Sequence, residues 1–206
     1  MILLQITQVT NATATAKHSK LSIDSEFNVI YTNADCFTNK RDDLLILLNC
    51  LVFKPSIIVI TEVNSKINNN MLESEFSIPG YNIFSANVGV SDFRGIIIYV
   101  NSSLSACQLQ LQFVFKECLL LQIKDSGKSV LTVGAFYSGP NSKIDNNNLL
   151  MDLLASLINH NSGRLLLVGD FNIKSIDWSI CRVVGIKSIA INFLESLRIN
   201  DYTQHV

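Results

Sequence analysis

The chain has 206 residues, of which 48% are hydrophobic and 16% are charged, and its mean hydropathy is +0.30. This apolar content is sufficient for one sizeable core and excludes a chain that is disordered throughout. Sixteen basic and seventeen acidic residues give a formal net charge of −1, whereas a protein that held nucleic acid by bulk charge would be basic. Any contact with a polyanion must therefore be local.

The five cysteines, at positions 36, 50, 107, 118 and 181, are an odd number and form no Cys-x-x-Cys pair. Reduced thiols are the simplest interpretation, which indicates an intracellular protein, nuclear or cytoplasmic. No apolar run in the sequence is long enough to cross a bilayer. The apolar residues 1–6 lack the basic flank of a secretory signal, so we expect no membrane partner.

The composition of the sequence changes at about residue 26. Residues 1–25 are polar and small, which predicts a loose leader, and residues 26–206 predict one domain. Runs of β-branched and aromatic residues predict strands, and apolar residues at helical spacing predict helices. In chain order these are strand 27–31, helix 39–51, strands 57–60, 81–84, 95–100, 118–123 and 130–136, helix 149–160, strand 165–168 and a last helix around 193–197.

The order of these elements predicts an α+β domain. A β-α-β unit comes first, a run of strands follows, and a helix and a buried strand come after them. Each apolar sheet face must be covered by another layer. We therefore predict a four-layer sandwich, with two packed sheets inside and helices outside.

Polar residues follow three of the predicted strands. Asn33 and Asp35 follow the first strand, Glu62 the second, and the sequence Gly169-Asp170-Phe171-Asn172 the strand at 165–168. Rigid strands aim such side chains into a shared crevice, which makes their ends the places to look for chemistry. Buried there, Glu62 would need a cation. The alternative is that Glu62 rises into solvent where the strand ends.

Asp170 and Asn172 are the more informative pair. Two residues apart on an extended backbone, they project to the same side. The carboxylate can take a proton while the amide donates to an anionic oxygen, so together they can hold a water or a metal-bound phosphate. The alternative is an Asx turn that closes the strand.

Together with Tyr137, these residues give the sequence a resemblance to a known superfamily. It resembles the endonuclease/exonuclease/phosphatase superfamily, and it is most similar to the apurinic-like endonuclease domain of non-LTR (LINE-type) retrotransposons. The specificity of the resemblance lies in the ordered set of stretches. These are residues 31–40, 60–63, 79–81, 94–95, 136–142, 166–172, 176–178 and 204–206.

The resemblance implies a metal-dependent phosphodiesterase. Glu62 corresponds to the metal-binding glutamate, with Asn33 beside it, and Mg²⁺ is the implied ion, with Mn²⁺ as a substitute. Asp170 corresponds to the residue that positions or deprotonates the attacking water. Tyr137 corresponds to a tyrosine that donates to the phosphate as charge builds in the transition state. Substrate contacts are implied for Arg94, Asn141 and Asn172.

The implied reaction is hydrolysis of a phosphodiester in DNA. The cut nicks one strand and leaves a 3′-hydroxyl that primes reverse transcription. The implied partners are DNA and the reverse transcriptase domain of the same polyprotein.

The sequence departs from the superfamily pattern in two places. The tyrosine motif usually continues Arg-Ser-Pro-Asn-Ser, whereas residues 138–142 here read Ser-Gly-Pro-Asn-Ser, which removes a positive group near the phosphate path. The Ser-Asp-His motif of the superfamily does not occur in the sequence. His205 does not replace the histidine of this motif, because residues 204–206 resemble a short stretch that precedes the motif in the superfamily. We therefore expect a domain that lacks its last strands, and little or no nicking activity from this chain alone.

Two alternatives remain open from the sequence. The chain could be a non-catalytic relic or interaction domain that keeps the fold. It could also be a phosphoesterase of the same superfamily that acts on another substrate, such as an inositol phosphate or sphingomyelin, because function belongs to the site rather than to the scaffold.

Overall fold

Two mixed β-sheets lie at the centre of the fold. The first contains β1 (Gln5–Val9), β2 (Phe27–Asn33), β3 (Ile57–Thr61), β4 (Tyr81–Ala86) and β5 (Ile96–Asn101), in the order β1-β2-β3-β5-β4. The second contains β6 (Ser105–Gln108), β7 (Cys118–Lys124), β8 (Val130–Tyr137) and β9 (Arg164–Asp170), in that order. Two short strands, β10 (Ile176–Asp177) and β11 (Arg182–Val183), form a separate ribbon.

The helices are α1 (Arg41–Cys50), α2 (Ile144–His160) and α3 (Ser188–Ile199), with 3-10 turns at Phe37–Asn39 and Glu73–Phe76. The computed structural model describes residues 5–9, 27–66, 72–110, 114–124, 130–160, 164–173, 175–177, 180, 182–185 and 188–199. Most of the predicted leader, Trp178 and the stretch 204–206 lie outside these residues. None of the described helices is long and apolar enough to cross a lipid bilayer.

Three hydrophobic cores separate four layers. Strand β3 is buried on both faces, because Ile57 and Val59 point to the second sheet while Ile58 and Ile60 point to Leu44 and Leu48 of α1. On the far side, helices α2 and α3 cover the outer face of the second sheet around Phe136. Continuous aliphatic runs, rather than alternating ones, are what a strand buried on both faces requires. The predicted α+β sandwich of four layers is confirmed.

Parallel pairing places the functional strand ends at one edge. Strands β2 and β3 are parallel, and so are β8 and β9, so each pair ends on the same side of its sheet. Asn33 lies opposite Thr61 in the first pair, and Tyr137 lies opposite Asp170 in the second. Strand β9 also contacts β2 and β3 across the sandwich. The two sets of strand ends therefore meet.

The structure differs from the predicted elements at several places, and it contains strands β6, β10 and β11, which the sequence did not predict. Strand β1 lies within the segment predicted as a loose leader, and it pairs antiparallel with β2. Helix α2 begins at Ile144, five residues before the predicted start at 149, with Asp145 in its first turn. Asparagines at 146–148 have low helix propensity, but packing of the following leucines overrides this preference. Strand β9 continues through Asp170, so this carboxylate lies inside the strand rather than after it.

Gly169 allows β9 to approach β8 closely next to the site. Its φ is 149°, and a Cβ at this position would lie 2.0 Å from the carbonyl oxygen of Phe136. We expect Gly169→Ala to lower the free energy of unfolding by about 3 kcal/mol, the upper part of the range for overpacking. Urea denaturation followed by circular dichroism measures this loss.

Gly139→Ala is the matched control, because a Cβ at Gly139 meets no atom within 4 Å. This variant should keep the stability of the parent to within about 0.5 kcal/mol, as surface substitutions do. Equal losses in the two variants would contradict the role assigned to Gly169.

Candidate functional site

An amide group links two carboxylates that come from different sheets. The Nδ2 atom of Asn33 donates to Oε1 of Glu62 at 2.7 Å and to Oδ2 of Asp170 at 3.3 Å. Asn33 ends β2 and Glu62 follows β3, whereas Asp170 ends β9. The carboxylates therefore lie no further apart than two hydrogen bonds to a single nitrogen allow, and the structure brings these three residues together.

The backbone leaves the strand ends in left-handed conformations. The φ angles of Asp35, Cys36, Glu62 and Asn172 are 41°, 83°, 54° and 48°. Such angles are uncommon outside glycine, and strained residues of this kind cluster at functional sites. Hydrogen bonds hold the two adjoining turns together, because the Cys36 amide donates to the Glu62 carbonyl at 2.9 Å.

Arg94 reaches into the same cluster from the loop that precedes β5, the strand next to β3. Its Nη2 atom donates to Oε2 of Glu62, and to Oδ1 of Asp35 at 2.8 Å. The side chains of Arg94 and Glu62 are 15% and 12% exposed, so their ion pair is largely shielded from solvent. Hydrogen bonds from Lys66 and Arg94 lower the pKa of Asp35.

A buried asparagine fixes the loop that carries Arg94. Asn64 is fully buried, and its Nδ2 donates to the carbonyl oxygens of Asn87 and Phe93, each at 2.8 Å. Its Oδ1 accepts from the Gly89 backbone amide at 3.0 Å, and the backbone amide of Asn64 donates to the Arg94 carbonyl at 2.7 Å. A fully satisfied buried amide of this kind specifies one loop conformation. The Arg94 backbone is therefore held in place.

Asp170 is held by the residues that follow it and by its burial. The Asn172 amide donates to Oδ1 of Asp170 at 3.1 Å, and Nδ2 of Asn172 donates to the Ser138 carbonyl at 2.8 Å. Burial raises the pKa of Asp170, the Glu62 charge raises it further, and hydrogen bonds from Asn172 and Asn33 oppose the rise. The Asx turn considered from the sequence is present, and it orients the carboxylate.

Tyr137 ends β8 opposite Asp170 and is 6% exposed. Burial raises the pKa of its hydroxyl, and the Glu62 charge raises it further. The hydroxyl therefore stays protonated at neutral pH and can act as a hydrogen-bond donor. The strand register thus places Tyr137 next to Asp170.

Asn141 lies in an open pocket beside this cluster. The pocket has a volume of about 380 Å³ and is lined by Glu117, Gly139, Pro140, Asn141, Ser142, Lys143 and Asn146. Glu117 joins the pocket to the cluster, because its Oε1 accepts from the Arg94 amide at 2.9 Å. Burial raises the pKa of Glu117. Asn141 is thus a neighbour of the site, with no contact to Asn33 or Glu62 among the hydrogen bonds of the described residues.

The sequence gave no signal for Glu117, marked Asp35 only as a polar residue at a strand end, and predicted a substrate contact for Arg94. In the structure Arg94 makes ion pairs with two carboxylates instead. No local sequence signal marked Glu117 and Arg94, because each precedes a buried strand whose antiparallel pairing with a strand ending at the site is known only from the structure. Asp35 comes shortly after the end of β2 and lies at the same edge of the sheet as Asn33.

The chemistry of these side chains suits a hard divalent ion. Glu62, Asp35 and Asp170 offer carboxylate oxygens, and Mg²⁺ is bound in proteins through one or two carboxylates together with water and substrate phosphate. Within the part of the chain that the structure describes, no group of three or more His, Cys, Asp or Glu side chains has a metal-binding arrangement. Two carboxylates satisfy the requirement of Mg²⁺, whereas they would be too few for a structural zinc site.

Solved structures of other proteins share this architecture. The endonuclease domain of TRAS1, a telomere-specific non-LTR retrotransposon, matches with a TM-score of 0.58 at 13% identity, over 84% of this chain and 70% of that one. The catalytic domain of Xenopus laevis APE2 matches at 0.51 and 20% identity, over 70% and 58%. The fold is that of the endonuclease/exonuclease/phosphatase superfamily.

A third structure of this superfamily fold is the 3′ phosphatase NExo from Neisseria bound to a product DNA hairpin. It matches with a TM-score of 0.53 at 15% identity, over 82% of this chain and 69% of that one. The chain thus spans from 58% to 70% of the length of these three structures. No family model matches the sequence, and no curated protein matches it.

The opposite pKa shifts of Asp170 and Asp35 predict opposite pH effects in metal-free protein. Because the pKa of Asp170 is raised above its ordinary value of 3.8, the wild type loses stability as the pH rises through the raised pKa. The stability of Asp170→Asn relative to wild type should therefore increase between pH 3 and pH 6. We expect denaturant unfolding at the two pH values to show this gain.

Asp35→Asn is the counterpart, because the pKa of Asp35 is lowered. The wild type gains stability as the pH rises from the lowered pKa towards 3.8, and this variant forgoes that gain. Its stability relative to wild type should decrease between pH 2 and pH 5. The same sign of change in both variants would refute these assignments.

Proposed function

We propose that the chain is a metal-dependent phosphodiesterase of the nuclease type, with DNA as its substrate. The observation that carries the proposal is the Asn33 amide, which brings Glu62 and Asp170 together at the joined ends of two sheets. Proteins that share this fold include a retrotransposon endonuclease domain and a phosphatase bound to a DNA hairpin. A nicking role beside a reverse transcriptase of the same polyprotein, as in non-LTR retrotransposons, is the finer form of the proposal.

In this proposal each residue of the cluster has one task. Glu62 and Asn33 hold the divalent ion, Mg²⁺ or Mn²⁺, with Asp35 able to supply a further carboxylate oxygen. When bound, the ion supplies Lewis-acid stabilisation of charge on the phosphate. Asp170 accepts the proton of the attacking water, and its raised pKa brings it closer to the working pH of a general base. The Asn172 amide keeps the carboxylate oriented for this transfer.

Donors on the second sheet complete the proposed mechanism. Tyr137 remains protonated and donates to a phosphate oxygen as charge develops there. The Asn172 side chain, which donates to the Ser138 carbonyl and lies beside Asp170, is placed to contact the same phosphate. Asn141 and Lys143 line the adjoining pocket, where the neighbouring part of the substrate would lie.

A nicking assay tests the proposal. The chain should nick supercoiled plasmid slowly in Mg²⁺ or Mn²⁺, and Asp170→Ala should abolish the cleavage because it removes the proton acceptor. No Ser-Asp-His motif occurs in the sequence, and loss of one transition-state donor typically costs a factor of about 100 to 1,000 in rate. We expect a deficit of at least that size against a superfamily endonuclease assayed alongside.

Lys124→Ala serves as the control for handling and folding, because Lys124 is exposed and lies opposite Val130, at the end of β8 away from Tyr137. Cleavage at the rate of the comparison enzyme would contradict the expected weakness. An absence of any cleavage above the Asp170→Ala background would favour the non-catalytic alternative. Cleavage of a small phosphodiester without cleavage of DNA would favour a phosphoesterase with another substrate.

A further inference from the structure

The guanidinium group of Arg94 bridges two carboxylates of the site. Its Nη2 atom contacts both Oε2 of Glu62 and Oδ1 of Asp35. A cation shared between two carboxylate oxygens is also the arrangement in which a hard divalent ion binds. We propose that Arg94 and a divalent cation compete for Glu62 and Asp35, so that Arg94 is an internal counter-ion which the metal must displace. This inference rests on the proposed function.

The rest of the guanidinium group is poorly satisfied in this position. The Nε and Nη1 atoms of Arg94 are buried and have no hydrogen-bond partner among the described residues. Buried donors without partners cost free energy, and an arginine has five donors to satisfy. The contact with Glu62 and Asp35 therefore depends on charge more than on complete hydrogen bonding, and a competing cation does not have to break a full network.

Glu62, the carboxylate for which Arg94 and the divalent ion compete, keeps other hydrogen bonds that do not involve Arg94. The other oxygen of Glu62, Oε1, accepts from Asn33 at 2.7 Å. The Glu62 carbonyl also accepts from the Cys36 amide at 2.9 Å. Displacement of the guanidinium would thus leave one ligand already oriented for the ion.

Only the side chain of Arg94 has to move. Its amide donates to Oε1 of Glu117 at 2.9 Å, and its carbonyl accepts from the Asn64 amide at 2.7 Å. These contacts anchor the backbone, so a change of side-chain rotamer is sufficient for the exchange. The released guanidinium, with all its donors available, is suited to a phosphate. This reconciles the ion pairs observed here with the substrate contact that the sequence predicted for Arg94.

Competition has a measurable consequence for metal affinity. The apparent dissociation constant equals the intrinsic value divided by the fraction of molecules able to bind. If the Arg94 contact is formed about 90% of the time, its removal should tighten binding about tenfold. We expect Arg94→Met to bind Mn²⁺ about tenfold more tightly than wild type in isothermal titration calorimetry on the whole chain.

Two variants accompany Arg94→Met in this experiment. Lys66→Met is the matched control, because the Lys66 Nζ lies 3.0 Å from Oδ1 of Asp35 while its side chain is 68% exposed. It removes one positive charge near the site and should change the dissociation constant by less than about threefold, as solvent-exposed charges do. Glu62→Gln removes the shared ligand and should abolish binding in either background.

Thermal unfolding supplies a second measurement. In metal-free buffer Arg94→Met should unfold at a lower temperature than wild type, because Glu62 loses its counter-ion, and Mn²⁺ should raise its unfolding temperature more than that of wild type. If Arg94→Met does not fold, Arg94→Lys, which keeps the charge but loses the planar fork, should show a smaller change in the same direction.

The outcomes separate the two proposals. Equal or weaker Mn²⁺ binding by Arg94→Met, with binding still lost in Glu62→Gln, would overturn the competition and leave the proposed metal site intact. Equal tightening by Arg94→Met and Lys66→Met would also overturn it, because general charge would then explain the effect. Absence of Mn²⁺ binding in every variant would overturn the metal site and the inference together.

Discussion

The hydrogen bonds of the Asn33 amide are the contact on which the site depends. The interior between the two sheets is apolar, and it is at the end of this core that Asn33 of one sheet meets Asp170 of the other. One nitrogen with two hydrogens can serve two carboxylates, whereas a carboxylate at the same position would add a third negative charge. Asn33 therefore has two effects. It keeps Glu62 and Asp170 close together, and its donors lower the free-energy cost of the repulsion between the two carboxylates.

The cost of burying charge explains why an ion pair, a supporting backbone amide and a strained backbone occur together at the site. Glu62 and Asp170 sit in partly buried positions where an uncompensated charge is expensive. Arg94 compensates Glu62, and the Asn172 amide supports Asp170 through the turn that places Asn172 at φ 48°. Backbone strain at the strand ends is tolerated because the parallel strand pairs, with their aliphatic interiors, fix where those ends must lie.

The sequence was informative about strands whose carboxyl ends reach the site and silent about strands that begin there. Aliphatic runs followed at once by Asn33, Glu62 or Asp170 give a local signal, since the run predicts the strand and the polar residue marks its end. Arg94 precedes β5, which is antiparallel to β3, and Glu117 precedes β7, which is antiparallel to β8. Arg94 and Glu117 lie at the site only because distant strands pair, and no local pattern in the sequence encodes that pairing. The partners of Arg94 were unpredictable for the same reason, because they belong to other parts of the chain.

Charge distribution shows how a chain with a net charge of −1 can still present itself to a polyanion. Glu62 and Asp170 lie in partly buried positions, where Arg94 offsets the charge of Glu62 and the Asn33 amide donates to both carboxylates, whereas Asp35 and Lys66 are exposed and Lys143 lines the adjoining pocket. A phosphate that approached would meet these two lysines together with the exposed Asp35. Because the fields of exposed charges decay within about 10 Å at moderate salt, this local order matters more than the sum over the whole chain. In the proposed competition, a divalent ion that replaced Arg94 at Glu62 would raise this local positive charge, because the site would then hold both the ion and the displaced guanidinium.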